Sequence, residues 1–401
     1  MENKECKKIL FLSFYYKPDL CAGSFRASAL VEAFQTQEGF KNVEIDVFTT
    51  MPNRYNTFKI EAPLFEDKYP IQIYRTQIGS HESGFIDQAR SFFHFFFAAL
   101  RFTRGKKYDL VLSTSSRLFT AFLGAVIAVR LRTYLYLDIR DIFTDTMNDV
   151  LKNPVLRFFT RPVFLLVENF TFRRANHINL VSEGFRNYFE TRYKKSYTFF
   201  SNGIDKEFIN HDFRKTENND TKIITYAGNI GQGQGLHEII PGSAKLLEGK
   251  FHFKIIGDGG AKKDLADAIK ILNLTNVEIL PPVDRENLLQ HYRESDYLML
   301  HLNDYQAFEK VLPSKIFEYG ATQKGIIAGI KGYSAEFVRE NLPDAILFNP
   351  TDVKAFTDKM IAESDTVKPI INRQAFINKF NRQIIMLEMT SHILSKIKKT
   401  T

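Results

Sequence analysis

The residues best suited to chemistry lie late in the chain, in Glu309-Lys310-Val311-Leu312-Pro313-Ser314-Lys315-Ile316-Phe317-Glu318. Pro313 ends any preceding regular structure, Ser314 can cap, and the apolar run through Tyr319 predicts a helix. A helix start presents unpaired N–H groups and partial positive charge, which suits an anion such as a diphosphate. Lys315 adds a full positive charge in the first turn. Glu318, one turn on, can accept hydrogen bonds from a pair of sugar hydroxyls. Anion and hydroxyl recognition within one turn fit a nucleotide-sugar. The same residue types also make an ordinary capped helix with a solvated Lys and Glu.

Two glycine-rich turns precede this stretch. Gly228-Asn229-Ile230-Gly231-Gln232-Gly233-Gln234-Gly235 stands between a strand pattern and a helix near Leu236, and its four glycines allow a backbone to approach phosphate closely. It matches neither the P-loop nor the dinucleotide fingerprint. Gly257-Asp258-Gly259-Gly260 closes the next strand. In the first half, Arg140, Asp141 and Asp145 cluster after a strand that carries Asp138. They read either as a strand-end salt bridge with a turn-forming Asp or as functional groups. Ala22 and Gly23 sit in a loop after the first strand, where Gly23 either lets a ligand approach or closes a turn.

Positioning these groups requires strands and helices in alternation. Lys8–Tyr15, Val43–Thr50, Ile71–Arg75, Tyr108–Thr114, Tyr134–Ile139 and His177–Ser182 read as strands, with helices over Phe25–Phe34, Asp87–Thr103 and Leu118–Val129. The Pro-containing stretch Met51–Pro70 reads as loop. The domain boundary falls near residues 201–221, with hydrophilic Arg214–Thr221 as an exposed connection, and a second series follows: Ile223–Ala227, Phe251–Ile256, Val277–Leu280, Tyr297–Leu302, Gly325–Gly329 and Ala345–Phe348. Short buried strands with helical crossovers predict an α/β chain of two Rossmann-like domains facing across a cleft, with ligands at strand carboxyl ends. The boundaries drawn are 1–205 for the first domain, completed by a helix from about 375 to 401, and 206–374 for the second.

Composition narrows the partners. The chain has 401 residues, 44% apolar and 25% charged, with a net charge of +8, 38 Phe, 17 Tyr and no Trp. The positive balance suggests an anionic partner. No basic stripe interleaves with stacking aromatics, which argues against nucleic acid. Cys6 and Cys21 form no metal-ligand spacing and no disulfide framework, favouring a reducing, cytoplasmic location. No signal peptide and no spanning helix are predicted. Two segments, 88–107 and 155–174, mix Phe with Arg and Lys. They read either as a peripheral membrane surface, on the inner face of the cell membrane, or as helices packed between layers with Arg stems lying along them.

Taken jointly, these motifs resemble GT-B glycosyltransferases, specifically family 4 of the retaining enzymes, over nearly the whole chain. The carrying pieces are the first strand with Ala22-Gly23, Asn202-Gly203-Ile204-Asp205, Gly228–Gly235, Gly257-Asp258-Gly259, Ser295-Asp296-Tyr297, and Lys315–Glu318 followed by Gly325-Ile326-Ile327-Ala328. Arg140-Asp141-Ile142-Phe143-Thr144-Asp145 is similar to the Arg-Asp segment of the O-antigen branch typified by L-fucosamine transferases. The resemblance implies a nucleotide-diphosphate-sugar donor, expected to be UDP-linked, held mainly by the second domain. It implies a polyprenyl-diphosphate-linked saccharide as acceptor on the first domain, surface polysaccharide synthesis, retention of configuration, and no metal or other cofactor in the transfer. Glu318 is then implied to bind the ribose hydroxyls and the amides after Pro313 the diphosphate. Gly228, Asn229, Gln234, Gly235, Gly257, Asp258, Gly259, Val283, Lys310, Pro313, Ser314 and Lys315 complete the implied donor site, Ala22 and Gly23 the acceptor site, and Arg140, Asp141 and Lys315 the candidate catalytic set.

Departures are visible. The family often has two glutamates separated by seven residues, but here Lys310 holds the first place and Glu309 is one off. The family's Arg and Lys in the glycine-rich loop match Asn229 and Gln234, so Lys315, with Lys310, must supply the charge for the diphosphate. Two other classes stay open at this level: a nucleotide-sugar hydrolase or epimerase of the same fold, and a non-catalytic protein on an anionic membrane.

Overall fold

The computed structural model describes residues 6–37, 42–53, 61–78, 85–115, 118–142, 144, 154–215, 221–364 and 372–398. The chain divides into two compact units, Met1–Asn202 with Arg382–Thr401, and Gly203–Asn381.

In the first unit the strands are β1 (Lys7–Leu12), β2 (Val43–Thr50), β3 (Phe65–Lys68), β4 (Ile71–Thr76), β5 (Leu110–Thr114), β6 (Tyr134–Ile139), β7 (His177–Leu180) and β8 (Ser196–Thr198). They form one sheet in the order β3-β4-β2-β1-β5-β6-β7-β8. All neighbours pair in parallel except β3, which runs antiparallel to β4 along its edge. Residues Ile9–Leu12, Leu110–Leu112 and Leu135–Leu137 are buried without alternation, as a sheet covered on both faces requires. The expected loop over Met51–Pro70 is corrected by β3. Its exposed, charged Phe-Glu-Asp-Lys sequence is an edge strand, which carries no buried apolar run to reveal it.

Helices cover this sheet. Ala22–Thr36 packs against Arg382–Lys398, whose Met386, Met389 and Ile393 join Leu30, Val31 and Phe34 in one core. The return of the chain to this unit is at Arg382 rather than about 375. The preceding helix, Gln374–Lys379, stays with the second unit because Phe376 and Phe380 pack into its core. Phe85–Phe102, Leu118–Leu131 and Pro154–Arg174 form a further group. Rings join them: Phe92 to Phe119 at 5.1 Å, Phe96 to Phe122 at 6.1 Å, Phe119 to Phe164 at 6.3 Å and Phe122 to Phe170 at 5.5 Å.

The second unit holds β9 (Lys222–Asn229), β10 (Phe251–Asp258), β11 (Val277–Leu280), β12 (Tyr297–His301), β13 (Gly325–Gly329) and β14 (Ile346–Phe348). The sheet order is β11-β10-β9-β12-β13-β14, and every pair is parallel. One apolar cluster includes Leu236, Ile240, Phe253 and Phe356; another includes Ile316, Phe317, Tyr319 and Phe337. Parallel strands bring all their carboxyl ends to one edge, so the turns after β9, β10 and β12 become neighbours.

Candidate functional site

At that edge β9 and β10 run close together, with Gly257 opposite Gly228 and Asp258 opposite Asn229. Gly228 has φ +146° and Gly257 φ +148°, a region that L side chains rarely adopt. A side chain on Gly257 would collide with the Gly228 carbonyl. The space above Gly228 is filled by Lys315: a Cβ at 228 would lie 2.6 Å from Lys315 Cε and closer still to Nζ. The ammonium also sits 5.5 Å from the centre of the Tyr226 ring. Among the described residues no acceptor hydrogen-bonds it. Burial pushes the Lys315 pKa down, Glu318 opposes that, and Arg285 adds to it.

The Lys315–Gly320 helix has six residues, so its dipole is small and Lys315 itself supplies most of the positive charge there. Ser314 corrects the expected cap. It occupies the N-cap place but with φ −61° and ψ −26°, and its hydroxyl makes no capping hydrogen bond. Side-chain caps need an extended residue at that place, which Ser314 is not.

Glu318 is buried, with its side chain 11% exposed. Arg285 Nη1 lies 3.6 Å from Oε1, and the Tyr292 hydroxyl approaches Oε2 at 3.5 Å. Arg285 also donates to Asp205 through a short ion pair, and its guanidinium lies 4.5 Å from the centre of the Phe208 ring. Burial lowers the Arg285 pKa, but Glu318 and Asp205 outweigh it and the net direction is upward. Arg285 carries no role in the sequence reading above, and Asp205 enters there only within the Asn202-Gly203-Ile204-Asp205 motif. One signal was available: a cation at the first position of the Arg285–Glu294 helix opposes the dipole and so calls for an acidic partner.

The glycine-rich turn is braced. Asn229 Nδ2 donates to Gln234 Oε1 at 2.7 Å, and the Tyr226 hydroxyl donates to the Asn229 carbonyl at 2.7 Å. Asn303 Nδ2 donates to the Gln232 carbonyl at 3.0 Å, and the Asn303 amide to the Gly233 carbonyl at 2.9 Å. His301 accepts the Thr351 amide on Nε2 at 3.0 Å, so Nδ1 carries the proton donated to the Gln234 carbonyl at 2.6 Å. Burial holds the His301 pKa down to about 4, so the ring stays neutral and this tautomer persists. Gly235 (φ +59°) packs on Asn303. Asp258 Oδ1 accepts the Gly259 amide at 2.9 Å, tying off its own turn. Val283 is partly buried against the Phe317 cluster. Glu309 pairs with Lys331 at 3.1 Å, while Lys310 ends the turn Gln306–Lys310 before Pro313.

In the first unit, Arg140 and Asp141 follow β6. The Arg140 amide donates to Ser115 Oγ at 2.9 Å, and Ser115 Oγ donates to Asp141 Oδ1 at 3.4 Å. Burial pushes the Asp141 pKa up to about 6, against the pull of Arg140 and Ser115. Burial, helped by Arg26, brings Arg140 down to about 10. Arg140 Nε and Nη1 are buried and have no hydrogen-bond partner among the described residues. The salt bridge here belongs instead to Asp138. Arg26 donates to both its carboxylate oxygens at 2.8 Å, and Asn179 Nδ2 adds a third bond at 2.8 Å. Although burial pushes the Asp138 pKa up, Arg26 and Asn179 bring it below its ordinary value. Asp145 lies outside the described residues. Ala22 and Gly23 are not in a loop, as expected, but form the first turn of the Ala22–Thr36 helix, with Gly23 buried.

Residues 207–366 match the family model Glycosyl transferases group 1. A stretch of 95 residues is 33% identical to the putative colanic acid biosynthesis glycosyl transferase WcaI of Escherichia coli K12, covering 24% of this chain and 23% of that protein. Anabaena Alr3699/HepE, solved in complex with UDP-glucose, superposes with a TM-score of 0.68 at 16% identity, over 97% of this chain and 99% of that one. The apo lipopolysaccharide outer core galactosyltransferase WaaB gives a TM-score of 0.59 at 14% identity, over 97% and 99%. The sequence match lies on the unit that holds Lys315 and Glu318, and the structural match spans both units: the chain has the GT-B fold and carries a glycosyl transferases group 1 domain at residues 207–366.

Proposed function

We propose that this chain is a retaining glycosyltransferase of family 4. It transfers a sugar from a UDP-linked donor to a polyprenyl-diphosphate-linked saccharide in surface polysaccharide synthesis. The carrying observation is the placement of Lys315 across Gly228, one turn before Glu318. A diphosphate set over the Gly228 backbone meets the Lys315 ammonium, and a ribose one turn along meets the Glu318 carboxylate. As the donor bond breaks, charge gathers on the diphosphate, and a preorganised cation stabilises it. The leaving diphosphate itself takes the acceptor proton, so no strong base is needed and no metal is assigned to the step. Asn229 and Gln234 brace the phosphate turn rather than replace the missing cations. Arg140 and Asp141 are assigned to the acceptor or the donor sugar.

The test is transfer from UDP-sugars to lipid-linked acceptor, with product analysis. Replacing both Lys315 and Glu318 by Ala abolishes transfer while the fold survives; an unimpaired double variant overturns the assignment.

The acceptor's lipid brings in the first unit's Phe-joined helices. Phe93 and Phe97 are 58% and 63% exposed, and Phe158, Phe159 and Leu166 are 74%, 68% and 70% exposed. Arg101, Arg130, Arg161, Arg173 and Arg174 are exposed on the same three helices. The only acidic side chain described on them, Glu168, is buried and takes the hydroxyls of Thr144, Tyr188 and Tyr193. Apolar rings beside exposed cations suit an anionic membrane surface. Among the described residues no helix is long and apolar enough to cross a membrane, and the contact proposed is a peripheral one.

A further inference from the structure

We propose that Asp205 and Arg285 are a positioning pair that presents Glu318 to the two hydroxyls of a bound ribose. This deepens the function proposed above and rests on that reading. A carboxylate on a short helix, closed in by Tyr292 and Tyr319, needs something to fix which way its oxygens point. Arg285 does this from one side: Nη1 stands 3.6 Å from Oε1, leaving Oε1 with capacity for a further donor. The other arm of the guanidinium is held by Asp205, and the Phe208 ring lies 4.5 Å from its centre.

Asp205 is itself fixed. It opens the short helix Lys206–Ile209, and the neighbouring Ile204 amide donates to the Phe380 carbonyl at 2.7 Å. Ile204 and Phe208 are fully buried, so Asp205 is held between two anchored residues. The Asn202-Gly203-Ile204-Asp205 segment thereby gains a role, as the rigid support of Arg285. Charge supports this division: Arg285 meets both carboxylates, so Glu318 stays compensated while Lys315 turns to the diphosphate. A fork donor fits this task better than a point charge, because it meets two carboxylates in one fixed geometry.

The pair acts on ribose hydroxyls and not on the diphosphate, and that separates it from a merely structural role. Equilibrium binding of UDP and of 2′,3′-dideoxy-UDP, which lacks both hydroxyls, is compared for the full chain. The unsubstituted protein is expected to prefer UDP by about tenfold or more, the scale of one or two buried charged hydrogen bonds. Arg285→Ala and Asp205→Asn are expected to erase most of that preference, while affinity for the dideoxy form changes by about twofold or less, within the scatter of an uninvolved contact. Arg285→Lys restores part of it, and melting temperature checks that each variant is folded. A preference unchanged in Arg285→Ala, or absent from the unsubstituted protein, overturns the pair. The measurement needs no acceptor and no turnover. A protein that shows the preference but transfers no sugar therefore sinks the proposed function and leaves the pair standing.

Discussion

The Lys315 side chain fills the space that a Cβ on Gly228 would need, the two residues coming together from the carboxyl end of β9 and from a helix 87 positions later in the chain. Gly228→Ala therefore does two things at once. It puts a methyl where Lys315 Cε would be 2.6 Å away, and it forces an L residue to φ +146°. The expected outcome is a loss of about 1–3 kcal/mol in stability and displacement of the ammonium. Chemical denaturation reads the first and sugar transfer the second. Lys315→Ala in the Gly228→Ala background relieves the clash but not the backbone strain, so it recovers part of the stability without recovering transfer.

Burial pushes the Asp141 pKa up to about 6. If its carboxylate serves the acceptor, transfer rises with pH through about 6 and levels above it. A pH–rate profile of the unsubstituted chain shows that rise, and Asp141→Asn flattens it. A profile with the same inflection in Asp141→Asn removes Asp141 from the reaction.

His177 supplies a separate, structural dependence of the same sign. Its Nδ1 and Nε2 sit 3.0 Å from the Ser196 and Thr198 hydroxyls, and the His392 ring of the last helix lies 4.5 Å away, centre to centre. Burial, then His392 and Lys396, press its pKa down to about 3. The unfolded chain takes the proton near pH 6.5 and the folded one does not. Stability is thus fully present above that value and falls by about 1.4 kcal/mol per pH unit from there towards 3. Denaturation curves between pH 7 and 4 measure the slope, and His177→Gln reduces it.

Vesicle binding tests the Phe-joined helices. Vesicles rich in anionic lipid are expected to take up the protein, and neutral ones far less. Replacing Phe158 and Phe159 by Ser weakens binding by about tenfold, corresponding to about 1.4 kcal/mol. Replacing Arg173 and Arg174 by Gln weakens it and flattens its salt dependence. Equal binding to neutral and anionic vesicles removes the electrostatic half of the reading.

Parts of this molecule are legible in the chain because they are local. The parallel strands announce themselves as short buried runs such as Ile9–Leu12 and Tyr297–His301, since burial on both faces leaves no alternation. Lys315 and Glu318 stand one turn apart, so a single helix places both. The edge strand β3 has too little apolar material to be seen. Gly23 reads as a turn residue, yet packing draws it into a helix whose buried face begins there. Ser314 has capping chemistry but helical dihedrals. The Asp205–Arg285 pair was invisible for a different reason: its partners are 80 residues apart, and only the folded second unit brings them together.

The chain leaves the first unit at Asn202 and comes back at Arg382, which inverts the order in which the two units can be finished during synthesis. When residue 202 leaves the ribosome, the sheet β1–β8 is complete in sequence, but the groove beside Leu30, Val31 and Phe34 waits for Met386, Met389 and Ile393. The second unit has its described strands by Phe348 and its last core rings at Phe376 and Phe380, so it closes first. A growing chain thus carries an apolar seam of its first-made half through about 180 further residues, at risk of aggregation until the last helix arrives. A ribosome stalled before Arg382 would release a chain with a finished second unit and an unfinished first one.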